Sequence, residues 1–277
     1  MQQSAFPRPA PQKGGPATGK PAGPLDDAGI AALADRLAGS TPALFLDFDG
    51  TLTAIMQRPD LAELGEEMRE RLRRLARLVP VAIVSGRDLD DVRAKVGLEE
   101  LIYAGSHGFD IAAPSGRHRM GEDYRPALER AGMALEQALA GIAGALVERK
   151  RYAVAVHTRQ VEEARKAEVA DAVRSVAATE PQLRRTGGKE LFELRPDLPW
   201  DKGRAVLHLI GTEGLEASFP VYVGDDLTDE DAFAALRDRG MGILVGDHGH
   251  PTAATAVLPD IPAVGRLLDA LSARLGG

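Results

Sequence analysis

A run of four apolar residues, 43–46, leads directly into the sequence Asp47-Phe48-Asp49-Gly50-Thr51. The apolar run predicts a buried strand, and Gly50 predicts a sharp turn after it. Asp47 and Asp49 would then project from the carboxyl end of a strand, where open α/β sheets bind their ligands. Neighbouring carboxylates repel one another unless a cation lies between them, and oxygen-rich clusters suit Mg²⁺. With such an ion present, one aspartate can attack phosphorus while the other moves protons.

Three further segments carry polar groups at the ends of predicted elements. The apolar strand 81–84 ends in Ser85-Gly86-Arg87, Lys202 begins an apolar-periodic helix, and the strand 221–223 runs into the acidic segment 224–231. Each segment alone also fits an ordinary turn, a solvated lysine or the N-terminus of a helix. Together they supply metal ligands, a hydroxyl donor and a fixed cation. A phosphoryl group in transfer needs this set of groups beside its nucleophile.

The remaining chain predicts two structural units and a tail. Apolar strands separated by helices over 26–110 and 197–277 predict an α/β core with a parallel sheet that is covered on both faces. The segment 111–196 breaks this rhythm, and its alternating strands and helices predict an inserted α+β cap with an antiparallel sheet. Residues 1–25 are rich in proline and glycine and offer little apolar surface, so we expect a disordered tail.

Composition is that of a soluble enzyme. The net charge of −7 argues against binding to nucleic acid, which requires a basic surface. The chain has no cysteine, so disulfides and thiolate chemistry are excluded. No apolar stretch approaches the ~20 residues that span a bilayer, and no secretory signal is recognised. We therefore expect a cytoplasmic protein that does not bind membranes.

The four polar segments are similar to the four motifs of the haloacid dehalogenase-like phosphatases. Further stretches resemble the trehalose-6-phosphate phosphatase branch of this superfamily, namely 44–59, 104–108, 155–159, 193–196 and 224–230. The likeness covers roughly residues 41–270. It implies a Rossmann-like core with a cap of the C2 type, Mg²⁺ as cofactor, and trehalose 6-phosphate as substrate. It also implies hydrolysis through an aspartyl-phosphate intermediate and a functional link to a trehalose-phosphate synthase.

The resemblance also implies roles for individual residues. Asp47 would be the nucleophile and Asp49 the general acid and base, while Ser85 and Lys202 bind the transferring oxygens. Asp47, the backbone carbonyl of Asp49, and Asp225 would hold the metal. Asp226 and Asp229 would order the water around the ion or anchor Lys202. The residues expected to bind substrate are Thr51, Gly86, Arg87, His107, Gly108, Glu148, Lys150, Arg159, Lys189 and Glu193.

Two positions depart from the family pattern, and other functions remain open. Asp110 stands where the family usually has glutamate, and Thr158 stands where a tyrosine is typical. Both changes would alter the sugar pocket rather than the chemistry. The core fits equally well a phosphatase for another sugar phosphate, such as sucrose 6-phosphate or mannosyl-3-phosphoglycerate. A phosphomutase and a catalytically silent module that binds a sugar phosphate are the remaining alternatives.

Overall fold

The computed structural model describes residues 23–56, 58–188 and 190–277. Most of the predicted tail, residues 1–22, lies outside this range, and so does Lys189. Within the described residues, the strands form one sheet of eight strands and one of four.

The strands have the following bounds in chain order: β1 (Pro42–Leu46), β2 (Val81–Val84), β3 (Ile102–Gly105), β4 (Asp110–Ala113), β5 (Gly116–Arg119), β6 (Leu146–Arg149), β7 (Val154–His157), β8 (Leu183–Gly188), β9 (Leu191–Pro196), β10 (Phe219–Gly224), β11 (Met241–Val245) and β12 (Ala256–Leu258). The α-helices have these bounds: α1 (Asp27–Ala38), α2 (Glu66–Ala76), α3 (Leu89–Val96), α4 (Arg125–Leu139), α5 (Lys166–Thr179), α6 (Lys202–Thr212), α7 (Glu230–Leu236) and α8 (Ile261–Leu275).

The large sheet has the order β12-β11-β10-β1-β2-β3-β4-β5, and its first six strands are parallel. All five residues of β1 are buried, because helices cover both faces of the sheet. Leu44 and Leu46 belong to a cluster formed with α1, α2, α3 and α8, whereas Ala43 and Phe45 belong to one formed with α6 and α7. The predicted α/β core with a parallel sheet is thus confirmed.

The second sheet is antiparallel, with the order β6-β7-β9-β8. Apolar residues of β7 and β9 pack against α4 and α5 in a third cluster. The α+β organisation predicted for this segment is present. Its last strand ends at Pro196, the last residue of the predicted cap.

The start of this unit differs from the prediction. β4 and β5 pair as an antiparallel hairpin on the edge of the large sheet, which therefore continues to Arg119. The predicted boundary at residue 111 falls inside β4. β5 has the polar sequence Gly-Arg-His-Arg and is mostly exposed, so no apolar alternation marks it as a strand.

Across the described parts of the chain, no helix combines the length and the apolar character needed to cross a bilayer.

Candidate active site

Three carboxylates meet at the carboxyl edge of the large sheet. Asp47 follows β1, and its backbone N–H donates to Val223 O at 2.9 Å, which continues the pairing with β10. Asp225 follows β10, and Asp229 lies in the 3₁₀ turn after it. One oxygen from each of the three carboxylates lies within 4.8 Å of the other two. Parallel pairing of β1 with β10 explains why residues so distant in sequence converge here.

Lys202 lies among these carboxylates. It is the first residue of α6, whose N-terminus is capped by the side chain of Asp201. The Lys202 Nζ lies 2.9 Å from Asp47 Oδ1 and 2.7 Å from Asp229 Oδ1, and the side chain is 3% exposed. Burial alone would lower the pKa of this ammonium, but the carboxylates of Asp229 and Asp47 raise it above its ordinary value. Lys202 is therefore a fixed cation.

Asp229 organises the acidic loop. Its fully buried carboxylate accepts hydrogen bonds from Lys202 Nζ, from the Tyr222 hydroxyl at 2.6 Å, and from the backbone N–H groups of Asp225 and Asp226 at 3.0 and 2.9 Å. The side chain of Asp226 instead accepts from the Leu227 N–H at 2.7 Å and caps the 3₁₀ turn. Of the two residues expected to anchor Lys202, only Asp229 contacts it.

The electrostatics of the cluster favour a bound cation. Burial raises the pKa of Asp47 well above its ordinary value, although Lys202 partly offsets this rise. Burial, followed by the charge of Asp229, raises the pKa of Asp225 to about 7. Carboxylates in this environment resist ionisation unless positive charge is added. Three oxygen donors of this kind fit Mg²⁺, which prefers carboxylate ligands.

The turn after β1 supports the position of Asp225. Gly50 has φ +80°, and a Cβ atom on it would lie 2.0 Å from Asp225 Oδ2. Only glycine fits this combination of backbone conformation and close approach. Thr51, predicted to bind substrate, is fully buried and donates from Oγ1 to Asp225 Oδ1 at 3.3 Å.

Asp49 is paired with Arg87. The guanidinium donates from Nε to Oδ2 at 2.7 Å and from Nη2 to Oδ1 at 2.8 Å. Arg87 also bonds Asp91 at 2.9 Å and lies over the ring of Phe48 at 5.5 Å. Arg87, predicted to bind substrate, therefore holds the carboxylate that was predicted to be the general acid and base.

The turns after β2 and β3 pack against each other. Ser85 is buried, its Oγ accepts from the Arg87 N–H at 3.2 Å, and its carbonyl accepts from the His107 N–H at 2.8 Å. The His107 ring lies so close to Gly86 that a Cβ atom on this glycine would be 2.7 Å from it. Gly108 accepts a hydrogen bond from the Trp200 indole at 2.9 Å. The predicted residues of these two turns, which are Ser85, Gly86, Arg87, His107 and Gly108, therefore lie together.

His107 is neutral in this environment. Burial, followed by the charges of Arg195, Lys202 and Lys150, holds the pKa of its imidazole well below the ordinary value. Its Nε2 lies 3.7 Å from Glu193 Oε2. The backbone of His107 has φ +56°, a left-handed conformation that asparagine, aspartate and histidine adopt more often than most other residues do.

The second sheet contributes Lys150 and Glu193 to the same place. Lys150 Nζ lies 3.2 Å from Glu193 Oε1 and 3.4 Å from the carbonyl oxygen of Gly86. Glu193 is 1% exposed and also accepts a hydrogen bond from Arg195. Burial alone would raise the pKa of Glu193, but Lys150 and Arg195 lower it below its ordinary value. A buried network of charges thus joins the two sheets.

The other residues predicted in the cap are placed differently. Glu148 is half-buried and its Oε2 lies 2.8 Å from His157 Nε2. Arg159 is exposed, and its guanidinium has no hydrogen bond or ion pair with any residue that the structure describes. Lys189 lies outside the described residues, so its predicted role stays a prediction.

The two departures from the family pattern form local contacts. Asp110 is buried and accepts two hydrogen bonds from Arg117, at 2.8 and 2.7 Å. Thr158 is buried and donates to Glu190 Oε2 at 3.2 Å.

Sequence reasoning missed two residues at the junction of the sheets. Arg195 forms an ion pair with Glu193. The two residues are two positions apart on β9 and so lie on the same face of the strand, which is the sequence pattern that could have predicted the pair. Asp88 accepts from the Ser106 hydroxyl at 2.6 Å and from the Arg151 N–H at 2.9 Å. No local pattern marks Asp88, because its partners are distant in sequence.

Comparison with known proteins identifies the family. The family model described as Trehalose-phosphatase matches residues 45–260. Trehalose-phosphate phosphatase from Mycobacterium avium (strain 104) is 47% identical over 234 residues, which cover 81% of this chain and 60% of that protein. The chain therefore spans less than two thirds of the length of this relative.

Solved structures show the same fold. The C-terminal domain of C. albicans trehalose-6-phosphate phosphatase superposes with a TM-score of 0.75 at 22% identity, covering 90% of this chain and 97% of that one. A haloacid dehalogenase-like hydrolase from Bacteroides thetaiotaomicron superposes with a TM-score of 0.59 at 15% identity, covering 82% and 98%. The haloacid dehalogenase-like fold predicted from the motifs is confirmed. The chain belongs to the trehalose-phosphatase family.

Proposed function

We propose that this chain is a Mg²⁺-dependent phosphatase that hydrolyses trehalose 6-phosphate to trehalose and phosphate. The observation that carries the proposal is the convergence of Asp47, Asp225 and Lys202 at one edge of the sheet. The name of the M. avium relative supports the substrate. We further propose that the enzyme acts in the cytoplasm on the product of a trehalose-phosphate synthase.

Asp47, Asp225 and the backbone carbonyl of Asp49 would hold the metal. Bound Mg²⁺ supplies positive charge that neutralises the carboxylates and stabilises the phosphoryl oxygens. The carboxylate of Asp229 takes part in the same cluster of oxygens, although its hydrogen bonds commit it mainly to Lys202 and to the acidic loop.

The reaction proceeds in two displacements at phosphorus. In the first, Asp47 attacks the phosphorus and the bond to the sugar oxygen breaks, while Asp49 donates a proton to this leaving oxygen. In the second, Asp49 takes a proton from water, which attacks the aspartyl phosphate and releases inorganic phosphate. Lys202 and Ser85 bind the phosphoryl oxygens throughout and stabilise their charge.

The unit built on the second sheet acts as the cap of this site. A sugar presents hydroxyl groups, so its recognition requires buried polar partners rather than an apolar surface. Lys150, Glu193 and His107 meet this need beside the nucleophile, and we place the sugar against them. Gly108, Glu148, Arg159 and Lys189 complete the proposed sugar site. The cap also shields the acyl phosphate from stray water.

Phosphate release from a panel of sugar phosphates in the presence of Mg²⁺ tests this proposal. The panel contains trehalose 6-phosphate, glucose 6-phosphate, sucrose 6-phosphate and mannosyl-3-phosphoglycerate. We expect the highest kcat/KM with trehalose 6-phosphate and loss of release when a chelator removes the metal. A preference for another member would assign a different sugar phosphatase. No release from any member would identify a silent binding module.

A further inference from the structure

A cavity of about 350 Å³ lies between the start of α4 and the turn that joins β6 to β7. Four basic side chains, two apolar side chains and one carboxylate line it: Arg125, Arg149, Lys150, Arg151, Leu128, Val154 and Glu129. Its size is within the range of small-molecule sites. Apart from Lys150, the proposed reaction makes no use of its lining.

The cavity lies on the face of the second sheet that packs against α4. Arg149 pairs directly with Val154, and Val154 packs in the apolar cluster with α4. Successive residues of a strand point to opposite faces, so Glu148 lies on the other side. The Arg149 side chain contacts α4, since a Cβ atom on Gly132 would lie 3.0 Å from its Nε. The cavity therefore lies on the opposite face from Glu148, and Lys150 is the residue that it shares with the sugar site proposed above.

Two of the arginines have free hydrogen-bonding capacity. The side chains of Arg125 and Arg149 are 41% and 42% exposed, and their shortest ion contacts are 3.6 Å to Glu122 and 3.8 Å to Glu136. Within the described part of the chain, neither guanidinium donates a hydrogen bond.

The lining carries more basic than acidic side chains. Arg151 is bonded to Glu122 at 3.0 Å, so its charge is partly balanced. Glu129, the acidic residue in the lining, lies 3.9 Å from Arg125. Positive charge with unused planar donors is the arrangement that binds phosphate groups through paired hydrogen bonds.

We propose that this cavity binds a phosphate-bearing small molecule at Arg125 and Arg149, as a site distinct from that of the substrate. The inference does not depend on the proposed reaction. The cavity is next to residues 150 and 151, where the Lys150 Nζ reaches Gly86 O at 3.4 Å and the Arg151 N–H donates to Asp88 Oδ2 at 2.9 Å. An occupant would therefore contact the turn between β6 and β7, through which the cap forms hydrogen bonds to the core.

Nuclear magnetic resonance with ¹⁵N-labelled protein separates this site from the reaction site. The amide of Gly132 reports on the cavity, and the amide of Gly50 reports on the carboxylate cluster. On titration with inorganic phosphate, we expect a saturable shift of Gly132 with a dissociation constant of about 1 mM or tighter. The double substitution Arg125→Gln with Arg149→Gln should weaken this binding at least tenfold while the response of Gly50 stays the same.

Control variants and competing anions complete the experiment. Arg174→Gln removes an arginine of the same unit outside the cavity and should leave the Gly132 response unchanged. Arg149→Lys keeps the charge but loses the planar donor pair, so it should also weaken binding. A second titration with glucose 6-phosphate distinguishes the source, because tighter binding than phosphate indicates a phosphorylated sugar and weaker binding indicates the free ion.

Three results would overturn the proposal. The first is a Gly132 resonance that shows no saturable shift with either phosphate compound. The second is a shift that survives both the double substitution and Arg149→Lys. The third is equal or tighter binding of acetate, which would show that the site does not select the phosphoryl group.

Discussion

Arg87 donates two hydrogen bonds to the carboxylate of Asp49, at 2.7 and 2.8 Å. This two-point contact fixes the plane of the carboxylate, since a guanidinium matches both oxygens at once. Asp91 holds Arg87 from the other side at 2.9 Å. Arg87 thus orients the group that is proposed to move protons in both displacements.

Substitution of Arg87 by lysine should lower kcat by about tenfold or more and change KM much less. The charge remains, but the paired donors that orient Asp49 are lost, and proton transfer depends strongly on geometry. Steady-state kinetics of phosphate release measure both constants. Asp91→Asn is the matched control, because it leaves the Arg87–Asp49 contact intact and should have a smaller effect. A raised KM with unchanged kcat would instead make Arg87 a residue that binds substrate.

Substitution of Glu193 by glutamine should lower the free energy of unfolding by about 3 kcal/mol or more. The change leaves Lys150 and Arg195 without their buried counter-charge. Urea unfolding at pH 7 measures the loss. As a control, Asp171→Asn breaks an exposed ion pair with Arg174 and should cost at most about 1 kcal/mol. Equal costs for the two variants would show that the charge network does not hold the sheets together.

Stability should fall at mildly acidic pH because of His107. Its folded-state pKa lies well below the unfolded value of 6.5, so the neutral ring contributes stability that is fully present above pH 6.5. This contribution is lost as the pH falls below 6.5 toward the folded pKa, since only the unfolded chain takes up the proton. At pH 5.5 the loss should be on the order of 1 kcal/mol.

Urea unfolding of the wild-type protein and of His107→Asn at pH 8 and pH 5.5 isolates this contribution. The variant lacks the titrating ring, so its stability should decrease less between the two pH values than that of the wild type. Identical decreases would mean that His107 is not held neutral by its surroundings.

Substitution of Gly50 by alanine should abolish phosphate release and weaken the response to Mg²⁺. The added Cβ atom would displace the carboxylate of Asp225, and the backbone at φ +80° would also be strained. Gly246→Ala is the control, since Gly246 has φ +72° but nothing within 4 Å of the added atom. It should cost about 1 kcal/mol of stability and keep activity. If Gly50→Ala retains the Mg²⁺ dependence of the wild type, Asp225 is not positioned by this turn.

Much of the reaction site could be predicted from the sequence, because its residues directly follow recognisable strands. Continuous apolar runs before Asp47, Ser85 and Asp225 predict buried parallel strands, and parallel strands place their carboxyl ends at one edge. The strand pairing confirms this placement for β1, β2 and β10.

Other features depend on contacts that no local pattern carries. The pairing of Arg87 with Asp49 joins the turns after β2 and β1, and the hydrogen bond from Thr51 to Asp225 joins the turns after β1 and β10. The strand β5 is polar and exposed, so periodicity did not reveal it. Charged clusters between two units arise from tertiary packing, which explains why Asp88 was missed.

Phosphate release from trehalose 6-phosphate by the wild-type protein and by Asp47→Asn, both with Mg²⁺, tests the central claim most directly. Asp238→Asn, a substitution of an exposed carboxylate, is the control, and circular dichroism checks that each variant is folded. Asp47 is proposed to form the bond to phosphorus. Replacing its carboxylate by an amide should therefore lower kcat by about a thousandfold or more. Rapid phosphate release by folded Asp47→Asn, or none by the wild type, would contradict the account.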